Sequence, residues 1–242
     1  MSRCLPSRLA KLAPLGAVPL GDCAVYVEFS KTLDLEVNYA VQRLAAMVHG
    51  RALPWVRDVV PALGGLAIHF DPDHADVHGD AMSAALNAVS ECLKQGLPKI
   101  DQVARTVEVP VCYEAEFAPD LTEVAATAKV TPDEAVALHA GSEFRVLMIG
   151  FAPGHAYMGG LSPKLAVPRR AAPRPIVPAG SVAIANDQTV VYPYAISGGW
   201  NIIGRTPLAV FDAEREEPCL FAAGDRVRFK PISRAEFLKQ SK

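Results

Sequence analysis

The sequence predicts an α+β protein in two domains, and two observations carry that reading. Over residues 1–100, strand-like and helix-like segments follow one another as β-α-β-β-α, the split order of a ferredoxin-like domain. After about residue 143 the apolar runs shorten, and prolines and glycines recur every few residues. Short strands separated by turn chemistry predict a compact β-barrel. The first domain is accordingly assigned residues 1–100 and the barrel domain residues 101–242.

Each element has its own signal. "CAVYVEFS" (23–30) is rich in β-branched and aromatic residues and predicts a strand. "LDLEVNYAVQRLAAMVHG" (33–50) places Leu33, Val37, Val41, Leu44 and Val48 at helical spacing, with Gly50 as a stop. "VRDVVPALGGLAIHFDP" predicts two strands around a Gly-Gly turn, and Pro61 implies that the first of them lies at a sheet edge or ends there. "HADVHGDAMSAALNAVSECLKQG" predicts a second helix closed by Gly96, and "RTVEVPVCY" supplies the strand that completes the split pattern. A helical connector follows: Thr131 as N-cap, Pro132 at the first helical position, Glu134 for a capping box and Gly141 as a stop. The barrel strands are read from "VLMIGF", "SVAIA", "TVVYP", "NIIG", "LAVF" and "DRVRF".

Composition bounds the function. Half of the 242 residues are hydrophobic, enough for real cores and against disorder. The formal charge of −2 gives no support to a nucleic-acid binder, which carries a basic excess. The five cysteines form no CxxC or metal-type spacing and suit reduced thiols in the cytosol. The basic N-terminus is broken by prolines and lacks a continuous apolar stretch, so a secretory signal is not expected. No apolar run reaches the length of a membrane span. A soluble cytoplasmic protein is expected, without a bound metal. GxxxxGK[ST], GxGxxG, HExxH and GxSxG are all missing, which removes the common nucleotide, zinc and serine-hydrolase signatures.

Candidate site residues gather in three glycine- or proline-rich stretches. "GFAPGHAYMGGL" carries His155, whose imidazole suits acid–base work near neutral pH, and Tyr157. A carbonyl-bonded loop histidine and a packing tyrosine are the plainer readings of the same residues. "PRRAAPRPIVPAGSV" carries Arg169, Arg170 and Arg174 on stiff backbone, where guanidinium groups can clamp a carboxylate or phosphate. A solvated basic edge is the plainer reading here. Gly180 and Ser181 offer backbone N–H groups to an anion or form an ordinary turn. "YPYAISGGWNIIGRTP" carries Gly198 and Gly199 for a tight backbone excursion, Trp200 as an apolar wall or core residue, and Arg205.

These motifs, in this order and together with "TVVYP" and "GDRVRF", resemble the allophanate hydrolase subunit 1 family. That family includes the B subunits of 5-oxoprolinases and the kinase inhibitor KipI. The resemblance is specific over about residues 144–230, and the β-α-β-β-α order agrees with the family's N-terminal domain. It implies a ferredoxin-like domain followed by a cyclophilin-like β-barrel, with a homologous C subunit and a separate A subunit as partners. It implies a component, inactive by itself, of an ATP-dependent amidohydrolase that opens 5-oxo-L-proline to L-glutamate, with ATP and magnesium shared with the partners. The alternative within the family is a regulatory protein that binds and inhibits a histidine kinase.

Within that frame, His155, Arg174 and Arg205 are the expected catalytic residues. Tyr157, Arg169, Gly180, Ser181, Gly198, Gly199 and Trp200 are the expected contacts to a small lactam or carboxylate. Arg174, Tyr157, Trp200 and Arg205 are expected to line one pocket at the barrel mouth, with His155 at its rim. The chain departs from the family's usual residues in these loops: His155 replaces phenylalanine and Ala156 proline. Ala195, Ile196 and Ser197 replace Glu-Ser-Pro, and Asn186-Asp187 replaces Gly-Gly.

Overall fold

The structure is a computed structural model that describes residues 12–77, 80–97 and 105–241. It divides into two compact units between positions 103 and 104. The expected boundary after residue 100 lies outside the described residues.

The N-terminal unit is a four-stranded antiparallel sheet with two helices. Its strands are β1 (Gly16–Pro19), β2 (Ala24–Glu28), β3 (Val56–Pro61) and β4 (Gly65–Phe70), ordered β1-β2-β4-β3. Helix α1 (Leu35–Gly50) lies against β3 and β4, and α2 (Ala81–Gln95) against β1, β2 and α1. Asp34 caps α1 by accepting from the amides of Glu36 and Val37, and Asp80 caps α2 through Ser83. The predicted helical stripe Val41, Leu44 and Val48 is buried against Val27, Leu66 and Ile68 of the sheet. Pro61 ends an edge strand, as its missing N–H requires.

The closing strand of the split pattern is a correction. "RTVEVPVCY" does form a strand, β5 (Thr106–Val111), but it pairs in parallel with β13 (Arg226–Pro231) of the second unit. The free edge beside β2 is taken by β1, four mostly exposed residues too short to show an alternating pattern.

In the second unit, seven strands form one sheet: β12 (Asn201–Arg205), β9 (Ser181–Ala185), β10 (Gln188–Val191), β7 (Ala156–Gly159), β6 (Phe144–Ile149), β13 and β5. Its two edges meet. The backbone groups of Cys112, just after β5, and Arg205, the last residue of β12, exchange N–H···O bonds of 2.8 and 2.9 Å. That bridge nearly closes the sheet into a barrel and removes most of its exposed edge. All seven strands contribute to one interior core, including Val109, Phe144, Met158, Val182, Val191, Ile203 and Val227. Helices α3 (Leu121–Ala128) and α4 (Pro132–Ala140) add Val124 and Ala135 to it. The predicted capping box of Thr131 and Glu134 starts α4.

A two-stranded sheet, β8 (Arg174–Val177) with β11 (Ile196–Gly198), completes the β-structure, and α5 (Arg234–Gln240) ends the described chain. "LAVF" is not a strand; it makes only the isolated bridge of Phe211 to Cys219.

Strand alternation explains how the second unit packs twice. Val182, Ile184, Val191 and Ile203 belong to the barrel interior, whereas their neighbours Ala183, Ala185, Val190 and Ile202 face the other way. Those outward residues are covered by Val177, Tyr192 and Trp200, giving the barrel wall a second core on its outer side. Both faces of β9 and β10 are therefore buried.

Candidate functional site: an aromatic and arginine cluster on the outer wall

His155 ends the loop between β6 and β7. In that loop Phe151 (φ +72°) and Gly154 (φ +75°) both take the left-handed conformation. A side chain at Gly154 would bring its Cβ within 2.7 Å of the Phe211 Cβ, so close approach as well as dihedral angle selects glycine there. The loop is closed by the Gly150 amide donating to the His155 carbonyl and the His155 amide donating to Ala152. Phe151 is 68% exposed at its tip, while His155 is only 3% exposed.

The His155 ring is packed among aromatics, with centroids 5.4 Å from Phe151, 4.9 Å from Tyr157 and 5.3 Å from Tyr192. Its Nδ1 has no hydrogen-bond partner among the described residues. Burial lowers its pKa to about 4, so the imidazole is neutral at pH 7. Tyr157 follows on the outward side of β7 and meets Trp200 edge-on at 6.0 Å. The guanidinium of Arg169 lies 5.7 Å from the Trp200 ring, a cation–π arrangement. His155, Tyr157, Trp200 and Arg169 thus form one continuous ladder, with Tyr192 beneath. Gly198 is required by that tyrosine, since an added Cβ would fall 2.2 Å from the Tyr192 hydroxyl oxygen.

The segment that carries Arg169 is stitched down at several points. The Arg170 amide donates to the Gly199 carbonyl, and the Asn201 side-chain amide donates to the Pro168 carbonyl. Asp120, buried just ahead of α3, makes no side-chain bond to its own helix. Its oxygens instead accept from Arg174 at 2.9 and 2.6 Å, from Arg170 at 2.7 Å and from the Ile202 amide at 2.7 Å.

Of the expected site residues, the structure brings together His155, Tyr157, Arg169, Gly198 and Trp200, with Gly199 beside them holding the arginine segment. They stand on the outer wall of the barrel, not at a barrel mouth. Arg174 is near but committed to Asp120. Arg205 is elsewhere: its Nε donates to the Ala179 carbonyl and its guanidinium lies over Phe237. Gly180 and Ser181 spend their amides on Tyr192 and Pro178 within a hairpin, so they offer none to an anion. Arg169 has no carboxylate partner among the described residues, and its guanidinium faces the Trp200 ring. Among the described residues no group of three His, Cys, Asp or Glu side chains could hold a metal ion.

Two features escape sequence reading. Asp120 looks like an ordinary N-cap in "PDLTEV", and nothing local shows that its partners lie 50 residues on. Inside the barrel, the Tyr113 hydroxyl and His139 Nδ1 share a 2.8 Å hydrogen bond, and His139 Nε2 lies 3.2 Å from the Thr189 hydroxyl. His139 is fully buried between Phe144 and Phe229, and burial lowers its pKa to about 3. That chain is a satisfied polar network in the core.

The model of the carboxyltransferase domain, subdomain C and D, matches residues 16–221. The chain belongs to this family. Family membership agrees with its full-length likeness to the 5-oxoprolinase B subunit of Bacillus subtilis, 39% identical over 90% of this chain and 93% of that protein. The crystal structure of TTHA0988 is 35% identical with a TM-score of 0.74, over 87% of this chain; the chain spans only 40% of that longer one. The urea carboxylase of Kluyveromyces lactis shares the fold at 19% identity and a TM-score of 0.74, over 95% of this chain and 23% of that one. Among the described residues, no helix is long and apolar enough to cross a membrane.

Proposed function

We propose that this chain is the B subunit of an ATP-dependent 5-oxoprolinase, working in the cytoplasm with a homologous C subunit and a separate A subunit. The reaction is 5-oxo-L-proline, ATP and water giving L-glutamate, ADP and phosphate. The observation that carries this reading is the match to a B subunit over 90% of this chain and 93% of that protein. The ferredoxin-like and cyclophilin-like domain types implied by the sequence motifs accompany it.

The chemistry divides between chains. A lactam amide is a poor electrophile, so its oxygen must be phosphorylated before water can open the ring. Phosphoryl transfer depends on positioning and on positive charge around the moving group. In this chain Arg170 and Arg174 are both held by Asp120, and ATP with its magnesium is shared with the partner subunits. What this chain contributes is a rigid apolar wall (Tyr157, Trp200), one available guanidinium (Arg169) and a neutral, water-excluded imidazole (His155). The family description as two subdomains of a larger domain supports a protein that is incomplete alone.

Complex formation tests the reading. Light scattering of this chain mixed with the cognate C subunit at micromolar concentration should give one heteromeric species. Two unshifted components would count against it.

A further inference from the structure

Phe151 stands at the outer end of the ladder that runs through His155, Tyr157 and Trp200 to Arg169. Four non-glycine residues among those described take a positive φ: Ala52 at +47°, Lys129 at +57°, Asn186 at +53° and Phe151 at +72°. The first three sit in turns or at a helix end, and only Phe151 carries a bulky ring. A left-handed backbone is unfavourable for such a side chain. Because the ring is exposed, burial within this chain offsets little of that cost. The conformation is nonetheless fixed. Two backbone bonds among Gly150, Ala152 and His155 close the loop, and Gly154 fits tightly against Phe211. An exposed apolar ring is thus held in place before anything binds it. We infer that Phe151, Tyr157 and Arg169 form the surface through which this chain docks on its C subunit. The Phe151 ring enters an apolar pocket of that partner, and the Arg169 guanidinium meets one of its carboxylates.

The identity of the partner rests on the proposed function; the shape and charge of the surface do not. A ring carried outward on a loop calls for a concave partner, whereas a small ligand needs the concavity on this chain. Aromatic side chains together with arginine are the residues that carry most of the energy in protein interfaces. Arg169 is exposed and has no carboxylate partner among the described residues, whereas Arg170 and Arg174 are held by Asp120. One positive charge at the far end of the strip is therefore left for a carboxylate from outside the chain. Behind the exposed side chains, His155 and Trp200 are buried. The strip is rigid, so little freedom is lost when it is covered. The same fold is also carried beside further protein, since this chain spans only 40% of TTHA0988.

Binding of the full chain to the immobilised cognate C subunit, measured by interferometry beside melting temperatures of the same proteins, tests the surface. Phe151→Gly removes the ring and accepts the left-handed backbone without strain. It should bind about tenfold or more weakly yet melt no lower than the parent chain. Arg169→Met should also weaken binding about tenfold and flatten its dependence on salt. Leu238→Ala, which trims an exposed apolar side chain on α5, should bind as the parent does. Parent-like binding by both Phe151→Gly and Arg169→Met would overturn the surface and leave the proposed function standing. A Phe151→Gly chain that melts lower as it loses binding would also overturn it, because the ring would then belong to the fold. No binding by the parent chain at micromolar concentration would sink the proposed function, and this docking with it. If the parent chain alone is a dimer that Phe151→Gly makes monomeric, the occupant is a second copy and the assignment to the C subunit fails.

Discussion

Arg174 closes both of its terminal nitrogens on the two oxygens of Asp120, at 2.9 and 2.6 Å. The carboxylate is 4% exposed and also accepts from Arg170 and from the Ile202 amide. A residue with the composition of a ligand clamp is thereby an internal anchor, tying β8 and the arginine segment to the start of α3 and to β12. Removing the carboxylate strands two guanidiniums and an amide. Asp120→Ala should therefore cost about 3 kcal/mol of stability, within the range for breaking a buried pair. Arg174→Ala should cost less, about 2 kcal/mol, because Arg170 and the Ile202 amide still satisfy Asp120. Denaturant unfolding of the two variants measures both, and equal stability to the parent chain in both would show that the cluster is not an anchor.

Burial of His155 makes stability depend on pH. The unfolded imidazole titrates near 6.5 and the folded one at about 4. Between those values the unfolded chain binds a proton that the folded chain does not, so stability is full above pH 6.5 and falls as pH drops towards 4. The expected loss from this residue is on the order of 2–3 kcal/mol by pH 4. His155→Phe, which keeps an aromatic ring but no titratable nitrogen, should remove that component and the unpartnered Nδ1 with it. Melting temperatures of the two proteins across pH 4–7.5 should diverge as pH falls, with the phenylalanine variant the more stable at the acid end. Parallel curves would mean that His155 is not buried as described.

The hydrogen-bonded core pair gives a third test. Tyr113→Phe leaves His139 Nδ1 without its partner in the barrel interior and should cost about 1–3 kcal/mol. The double variant Tyr113→Phe, His139→Leu removes both polar groups, while Thr189 keeps its own bond to the Ala183 carbonyl. The double variant should thus be more stable than the additive expectation from the two single variants. Strict additivity in a double-mutant cycle would show that the two side chains are not coupled.

Much of this architecture was legible in the residues because the relevant signals are local. The capping box at Thr131 and Glu134, the helical stripe of α1, the edge proline Pro61 and the turn glycine Gly96 each act within a few positions of themselves. What escaped was set by distant chain. β5 has an ordinary strand sequence, and its partner is chosen by β13, more than a hundred residues on. β1 and β7 are four residues each, too short for alternation to register. The site divides the same way. Residue type alone singles out Tyr157, Trp200 and Arg169 as candidates, and the structure places them side by side. The role of Arg174 depended on Asp120, and that of Arg205 on Phe237, pairings no spacing rule connects.

The central claim, that this chain is a required part of a 5-oxoprolinase, is tested most directly by an omission assay. The purified A and C subunits are combined with ATP, magnesium and 5-oxo-L-proline, with and without this chain, and phosphate and glutamate are measured together. The complete mixture should release both in equal amounts, omitting this chain should abolish glutamate formation, and this chain alone should form none. Full glutamate formation without it, or none in a complete mixture whose components are shown to assemble, would rule out that role.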